Sequence, residues 1–269
     1  MGPAELYLDL LKKCLTRYGF ETSYVPIHPR SPHGRMLARQ LDARGIKLVL
    51  PESYRPDMRE EGRDWPLHAE TMIGLRRLDN LQECVTNVIR NDVPGDLIET
   101  GVWRGGATIF MRGILKAYGD SRLVWVADSF QGLPPPDESA YPADGGSSCA
   151  PAPGDLAVPL DQVQDNFRRY GLLDDQVRFL PGWFRDTLPD APIERLAVMR
   201  LDGDLYESTI LAMESLYPRL SVGGYVIVDD YVLPACSAAI DDYRARNHIT
   251  EPIEQIDWSG VFWRREQSP

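Results

Sequence analysis

Along most of the chain, apolar positions alternate between two rhythms: steps of three and four residues, and short unbroken runs. From Ala4 to Tyr18 one stripe carries Leu6, Leu10 and Cys14, widened by Leu8, Leu11 and Leu15, which predicts an amphipathic helix that needs a partner surface. The same period returns from Ala69 to Arg90 through Met72, Leu75, Leu78, Leu81, Val85 and Val88, and ends at Asp92-Val-Pro-Gly95. Beyond it, apolar runs and helical stretches take turns. Strands are expected at Asp96–Val102, Leu123–Ala127, Gln176–Leu180, Arg195–Leu201 and Gly224–Val228, with helices at Gly105–Tyr118, Leu160–Tyr170, Tyr206–Leu220 and Ala235–Arg246. Such alternation predicts an α/β fold, a Rossmann-like and mostly parallel sheet with helices on both faces. The last two runs, Ile253–Ile256 and Val261–Arg264, are joined by Trp258-Ser-Gly260 and read as a hairpin, so the C-terminal edge strand is expected antiparallel.

Two stretches fall outside these rhythms. Residues 21–66 are rich in Pro, Arg and His, with a short helix expected at Arg35–Ala43 and a short strand at Lys47–Leu50. Residues 1–68 are therefore read as a helix plus an irregular cover or oligomer contact, and residues 69–269 as the one domain. Within that domain, residues 135–159 are crowded with Pro, Gly, Ser and Asp and too long for an ordinary connection, which points to a disordered segment or a lid.

A length of 269 residues with 43% hydrophobic content can bury one sizeable core. The net charge of −11 disfavours nucleic acid and anionic membrane surfaces, both of which are held by an excess of Lys and Arg. No apolar run approaches the ~20 residues that span a bilayer, and Met1–Lys13 lacks a signal-peptide core, so the expected address is cytoplasmic. Cys14, Cys84, Cys149 and Cys236 lie scattered and are read as ordinary thiols. Lysine stops at Lys116, leaving none for general-base work in the C-terminal half.

Chemistry concentrates where strands end. Leu97-Ile-Glu-Thr-Gly-Val-Trp-Arg-Gly-Gly106 is a tight turn between strand and helix, with the form E-x-G-x-x-x-G. It matches neither the dinucleotide fingerprint nor a P-loop. Glycines such as Gly101 let backbone approach a ligand, while Glu99 would repel phosphate and could hold an amino group. Asp128 ends the next strand, where an acid takes ribose hydroxyls. Together these favour S-adenosylmethionine over NAD, with a plain turn and a helix cap as the bland alternatives. Two later strands end in Asp202-Gly-Asp204 and Asp229-Asp230. The C-terminal ends of parallel neighbours open on one face, so Asp202, Asp229 and Asp230 are expected to converge as an oxygen-only set suited to Mg²⁺, unless they only cap helices. Asp204 could then take a proton from a substrate hydroxyl.

The residues also resemble a known family. Ala69-Glu-Thr-Met-Ile-Gly-Leu-Arg-Arg-Leu-Asp-Asn-Leu81, Glu99-Thr-Gly-Val-Trp-Arg-Gly-Gly106, Val126-Ala-Asp-Ser-Phe-Gln-Gly-Leu-Pro134, Phe179-Leu-Pro-Gly-Trp-Phe184, Leu201-Asp-Gly-Asp-Leu-Tyr-Glu-Ser208 and Gly260-Val-Phe-Trp-Arg-Arg265 are similar to the macrocin O-methyltransferases. These are metal-dependent sugar O-methyltransferases of antibiotic biosynthesis that serve macrolides and aminocoumarins. The resemblance covers nearly everything after about Asp64, and Ala4–Tyr18 as well, whereas the segment from about Tyr24 to Arg55 departs from the family pattern. It implies a class I methyltransferase sheet and a cofactor site lined by Glu99, Gly101, Asp128 and Ser129. Trp183 would lie beside the adenine, and Thr71 and Met72 would close over the methionine end. It implies Mg²⁺ on Asp202, Asp229 and Asp230, Asp204 as base, a glycosylated small-molecule acceptor, and a homodimer or higher homo-oligomer through the N-terminal part. Phenol or catechol O-methyltransferases, the runner-up, usually carry a Lys between the two acid clusters, and this chain has none. A non-catalytic S-adenosylmethionine sensor would have no need of the second cluster.

Overall fold

The computed structural model describes residues 2–20, 22–53, 55–145 and 156–267. Cys149 and the middle of the expected lid, residues 146–155, lie outside them. Strands β3 (Asp96–Thr100), β4 (Val124–Asp128), β5 (Val177–Pro181), β6 (Leu196–Leu201) and β7 (Leu220–Val228) run parallel, and the hairpin β8 (Glu254–Gln255) and β9 (Val261–Arg264) completes the sheet. The order is β5-β4-β3-β6-β7-β9-β8, with β9 antiparallel to β7 as the terminal hairpin predicted. The chain runs outward from β3 to β5 and then returns to lay β6 on the other side of β3. The reversal opens a crevice at the carboxyl ends of β3 and β6.

Both faces of the sheet are buried, which is why its strands read as unbroken apolar runs. Successive residues of a strand point to opposite faces. Leu97, Val124 and Val126 pack with α1 (Pro3–Leu15), α4 (Gly74–Arg90), α5 (Gly106–Tyr118) and α6 (Leu160–Arg169). Their neighbours Ile98, Trp125 and Ala127 pack toward α8 (Tyr206–Leu216) and α9 (Pro234–Arg246). The first helix finds its partner here: Leu8, Leu11 and Leu15 are buried in the same core as α4 and α5, each burial contributing about 1.5–3 kcal/mol.

The remaining N-terminal residues are more ordered than expected. Strands β1 (Thr22–Pro26) and β2 (Val49–Ser53) pair antiparallel in a sheet of their own; α2 (Pro32–Asp42), which lies between them in the sequence, buries none of its residues, and α3 (Pro56–Glu60) follows. The helix expected from Ala69 begins only at Gly74, because the preceding residues are taken by tertiary hydrogen bonds. Leu15 carbonyl oxygen accepts from Glu70 and Thr71 amides at 3.0 and 3.3 Å, and Glu70 carbonyl oxygen accepts from Gly106 amide at 3.0 Å. This junction of α1, the turn and the head of α5 carries Thr71 and Met72 to the crevice. The helix expected to reach Leu220 stops at Leu216, since Pro218 lacks an amide hydrogen; a 3₁₀ turn covers Tyr217–Arg219. A short helix α7 (Phe184–Thr187), absent from the sequence reading, follows Trp183. Among the described residues no helix is long and apolar enough to cross a membrane. Cys14, Cys84 and Cys236 are free, and burial pushes the Cys84 and Cys236 thiols up, which keeps them unreactive.

Candidate active site

A cavity of about 330 Å³ occupies the crevice. Thr71 and Met72 border it on one side, with Glu99, Gly101, Asp128 and Ser129 along the ends of β3 and β4 and Trp183 from the turn after β5. Asp202 and Asp204 follow β6 and Asp229 and Asp230 follow β7, so every residue singled out in the sequence reaches one cavity.

The glycine turn is built for close approach. A Cβ at Gly101, whose φ is +84°, would lie 1.8 Å from the Asp202 carbonyl oxygen, so the two strand ends meet only because that position has no side chain. Asp128 ties the neighbouring turns together: its carboxylate accepts from Val102 and Phe130 amides, both at 2.7 Å. Burial raises its pKa and these backbone donors pull it back. Ser129 Oγ donates to the Gly132 carbonyl and accepts from the Gln131 amide. Three non-glycine residues near the crevice, Trp103, Phe130 and Asp204, hold positive φ of 47°, 57° and 57°. Such conformations cost energy and persist where the surroundings dictate them, often at functional sites.

The acids form one electrostatic unit with cations that the sequence reading overlooked. Arg200, on β6 and 1% exposed, donates to Glu99, to Asp202 at 2.7 Å and to Asp229. Arg77, on α4, donates to the other oxygen of Asp229 and, at 2.8 Å, to Asp257 in the terminal hairpin. Ser259 Oγ adds a bond to the Asp229 carbonyl at 2.7 Å. The sequence reading looked only for a lysine near these acids; the cations that face them are guanidinium groups. The signal was present as a lone Arg in the apolar run Leu196-Ala-Val-Met-Arg-Leu201, and as an Arg on the same helical stripe as Leu81 and Cys84.

The compensation is uneven. Burial pulls the Arg200 pKa down, but Asp229, Asp202 and Glu99 together hold it well above its usual value. Burial pushes the Glu99 carboxyl up to about 8 despite Arg200, and its Oε2 is buried with no hydrogen-bond partner. Among the described residues Asp230 has no ion pair. Burial and the adjacent Asp204, Asp202 and Asp229 raise its pKa well above the carboxylate range. The ligand oxygens of Asp202, Asp229 and Asp230 lie within 4.8 Å of one another. Asp204 is pushed up to about 7, first by burial and then by Asp202 and Asp229.

Removing Arg200 leaves three acids buried without their main counter-charge. Arg200→Met is expected to destabilise the protein by about 3–5 kcal/mol, the scale of a broken buried ion pair. For a chain of this size that is a fall of roughly 6–20 °C in Tm, read by calorimetry. A Tm within 2 °C of wild type, where about 1 kcal/mol or less would be at stake, would mean the acids take up protons at no cost.

A doubly wound parallel sheet with an antiparallel edge strand, and with its cavity at the switch between β3 and β6, is the architecture of the class I methyltransferases. The solved O-methyltransferase NovP superposes with a TM-score of 0.85 at 50% identity, covering 98% of this chain and all of that one. A family model described as Macrocin-O-methyltransferase (TylF) matches residues 4–265, and the chain belongs to that family of O-methyltransferases. The match runs through residues 24–55, which the sequence reading had set apart as departing from the family pattern. A tetracenomycin-type enzyme of Streptomyces olivaceus is 55% identical over 97% of this chain and 92% of its own length; it is described as an 8-demethyl-8-(2,3-dimethoxy-alpha-L-rhamnosyl)-tetracenomycin-C 4'-O-methyltransferase. The mycinamicin III 3''-O-methyltransferase of Micromonospora griseorubida is 49% identical over 97% of this chain and 96% of its own.

Proposed function

We propose that this protein moves a methyl group from S-adenosylmethionine to a hydroxyl of a deoxysugar on a glycosylated secondary metabolite, of macrolide or aminocoumarin type, with Mg²⁺ in the site. The observation that carries the reading is the meeting of the Glu99–Gly101 turn with Asp202, Asp229 and Asp230 in one cavity. Relatives named for methylating a rhamnosyl tetracenomycin and mycinamicin III support the substrate class.

Each residue then has a task. Glu99 offers the unpartnered Oε2 to the ammonium group of the cofactor. Asp128 and Ser129 take the ribose, Trp183 flanks the adenine, Thr71 and Met72 close over the methionine end, and Gly101 gives the sulfonium room. The donor set fits a hard divalent cation: three carboxylates within reach of one another, one of them without any cationic partner. Such an ion supplies a lowered hydroxyl pKa at the acceptor. Asp204 accepts the hydroxyl proton as the acceptor oxygen attacks the methyl carbon. The carbon–sulfur bond breaks with its electrons staying on sulfur, giving S-adenosylhomocysteine. The cytoplasm is the place of action. The N-terminal sheet and helix, with Tyr24, Met36, Leu37 and Leu50 exposed, support a homo-oligomer contact.

The test is direct. Incubation with S-adenosylmethionine, Mg²⁺ and a panel of O-desmethyl glycosides is expected to yield a product one methyl heavier on the sugar, located by mass spectrometry and NMR; methylation confined to phenols or catechols would overturn the substrate class. Asp128→Asn keeps one of two backbone bonds and loses the charge. It is expected to weaken S-adenosylhomocysteine binding by about 10- to 100-fold, the value of charge-assisted bonds worth ~1.5–3 kcal/mol. Unchanged affinity by calorimetry would place the ribose elsewhere.

A further inference from the structure

One buried acid stands outside the catalytic account. Asp144, 1% exposed, closes a 3₁₀ turn, Pro142–Asp144, in the near arm of the long insertion after β4. Its two carboxylate oxygens accept from the amides of Tyr206 at 2.6 Å and Glu207 at 3.1 Å, 62 and 63 residues away. These amides are the first two of α8, and the residue at the helix's own cap position is Leu205, which has no side-chain acceptor. The cap therefore comes from the insertion. The loop it secures is Asp202-Gly203-Asp204-Leu205. Asp204 there keeps its left-handed backbone, and its amide approaches Asp230 at 3.4 Å.

The same arm also reaches the helix behind the other acidic loop. Tyr141 packs against Tyr206 with ring centroids 5.9 Å apart and the rings tilted by 37°, and Tyr206 Oη donates to Asp242 of α9 at 2.9 Å. Helix α9 begins four residues after Asp230, whose carbonyl accepts from the Leu233 amide at the helix's cap position. The turn at 142–144 packs against both α8 and α9.

We propose that Asp144 is a positioning residue: by capping α8 from the insertion it fixes the loop of Asp202 and Asp204 against that of Asp229 and Asp230, and so sets the geometry of the acid cluster. The proposal rests on the reading that these acids hold a divalent ion, and its test separates the two. Asp144→Ala loses both bonds, whereas Asp144→Asn keeps an amide oxygen for one of them, Asn being as good a cap as Asp.

In the full-length protein, Asp144→Ala is expected to bind S-adenosylhomocysteine as wild type does, since the cofactor lobe is untouched. Mn²⁺ affinity, read by the EPR signal of the free ion, is expected to weaken about fivefold or more, the scale of a lost cap. Deuterium uptake at residues 202–207 should rise, and kcat should fall with KM for the cofactor held. Asp144→Asn should recover at least half of each loss. If a folded Asp144→Ala showed only a lower Tm, with Mn²⁺ affinity, kcat and uptake at 202–207 unchanged, Asp144 would be an ordinary cap and the proposal would fall. If wild type itself took up no Mn²⁺, the metal reading would fail, while uptake and kcat would still decide the role of Asp144.

Discussion

Dialysis against EDTA is expected to abolish methyl transfer, and added Mg²⁺ to restore it. The case lies in the charges. Arg200 and Arg77 satisfy Asp229 from both sides and Arg200 reaches Asp202, but neither reaches Asp230. Asp230 sits beside Asp202 and Asp204 with no cationic side chain of its own, and burial together with these neighbouring acids raises its pKa. A sugar hydroxyl is a weak acid, and without a cation to polarise its oxygen Asp204 alone would have to draw off the proton. Metal polarisation is worth several kcal/mol, so its loss corresponds to about 10³-fold or more in rate. The measurement is turnover of the desmethyl glycoside in chelator, with cofactor binding followed in parallel. Full activity in EDTA would remove the metal from the mechanism. Mn²⁺ is expected to replace Mg²⁺, because an oxygen-only site discriminates poorly between them.

Asp204→Asn is the sharper probe. Its expected effect is a loss of about 10²-fold or more in kcat, the scale of a missing general base, with cofactor affinity and Tm near wild type. A helix cap is the competing role for Asp204, and the geometry answers it: Leu205 holds the cap position and Asp144 supplies the acceptor. Asparagine also tolerates the left-handed backbone at φ 57°, so the loop survives the substitution. A base works only when unprotonated, so wild-type turnover should rise with pH through a limb at or below about 7. A bound cation moves the limb lower. The variant should lose that limb. A variant with normal kcat and an intact limb would leave proton removal to some other group.

Local period made the site's acids legible. Asp128, Asp202, Asp229 and Asp230 each close an apolar run, and parallel strands must present such ends together. The same logic located the terminal hairpin. Arg77 and Arg200 escaped because the acid they share, Asp229, stands 152 and 29 residues from them, and although Asp202 lies only two residues from Arg200, nothing within a helix or strand window announces the longer pairings. Asp144 escaped for the same reason, lying in a stretch whose composition says only loop. The start of β7 was misplaced because Gly223-Gly224 reads as a turn, yet Gly223 takes φ +88° within the strand, where the pairing with β6 shifts register.

The pairing of Arg77 with Asp257 has a consequence for synthesis. Helix α4 leaves the ribosome early, and its buried guanidinium must wait 180 residues for one of its two acids. The five parallel strands can be assembled while that partner is still unmade. Ser259, which fastens the Asp229 carbonyl, is likewise still to be translated at that point. The side chains that complete the setting of Asp229 are therefore made after the five parallel strands, so the acid cluster gains its final hydrogen bonds from the hairpin that follows them.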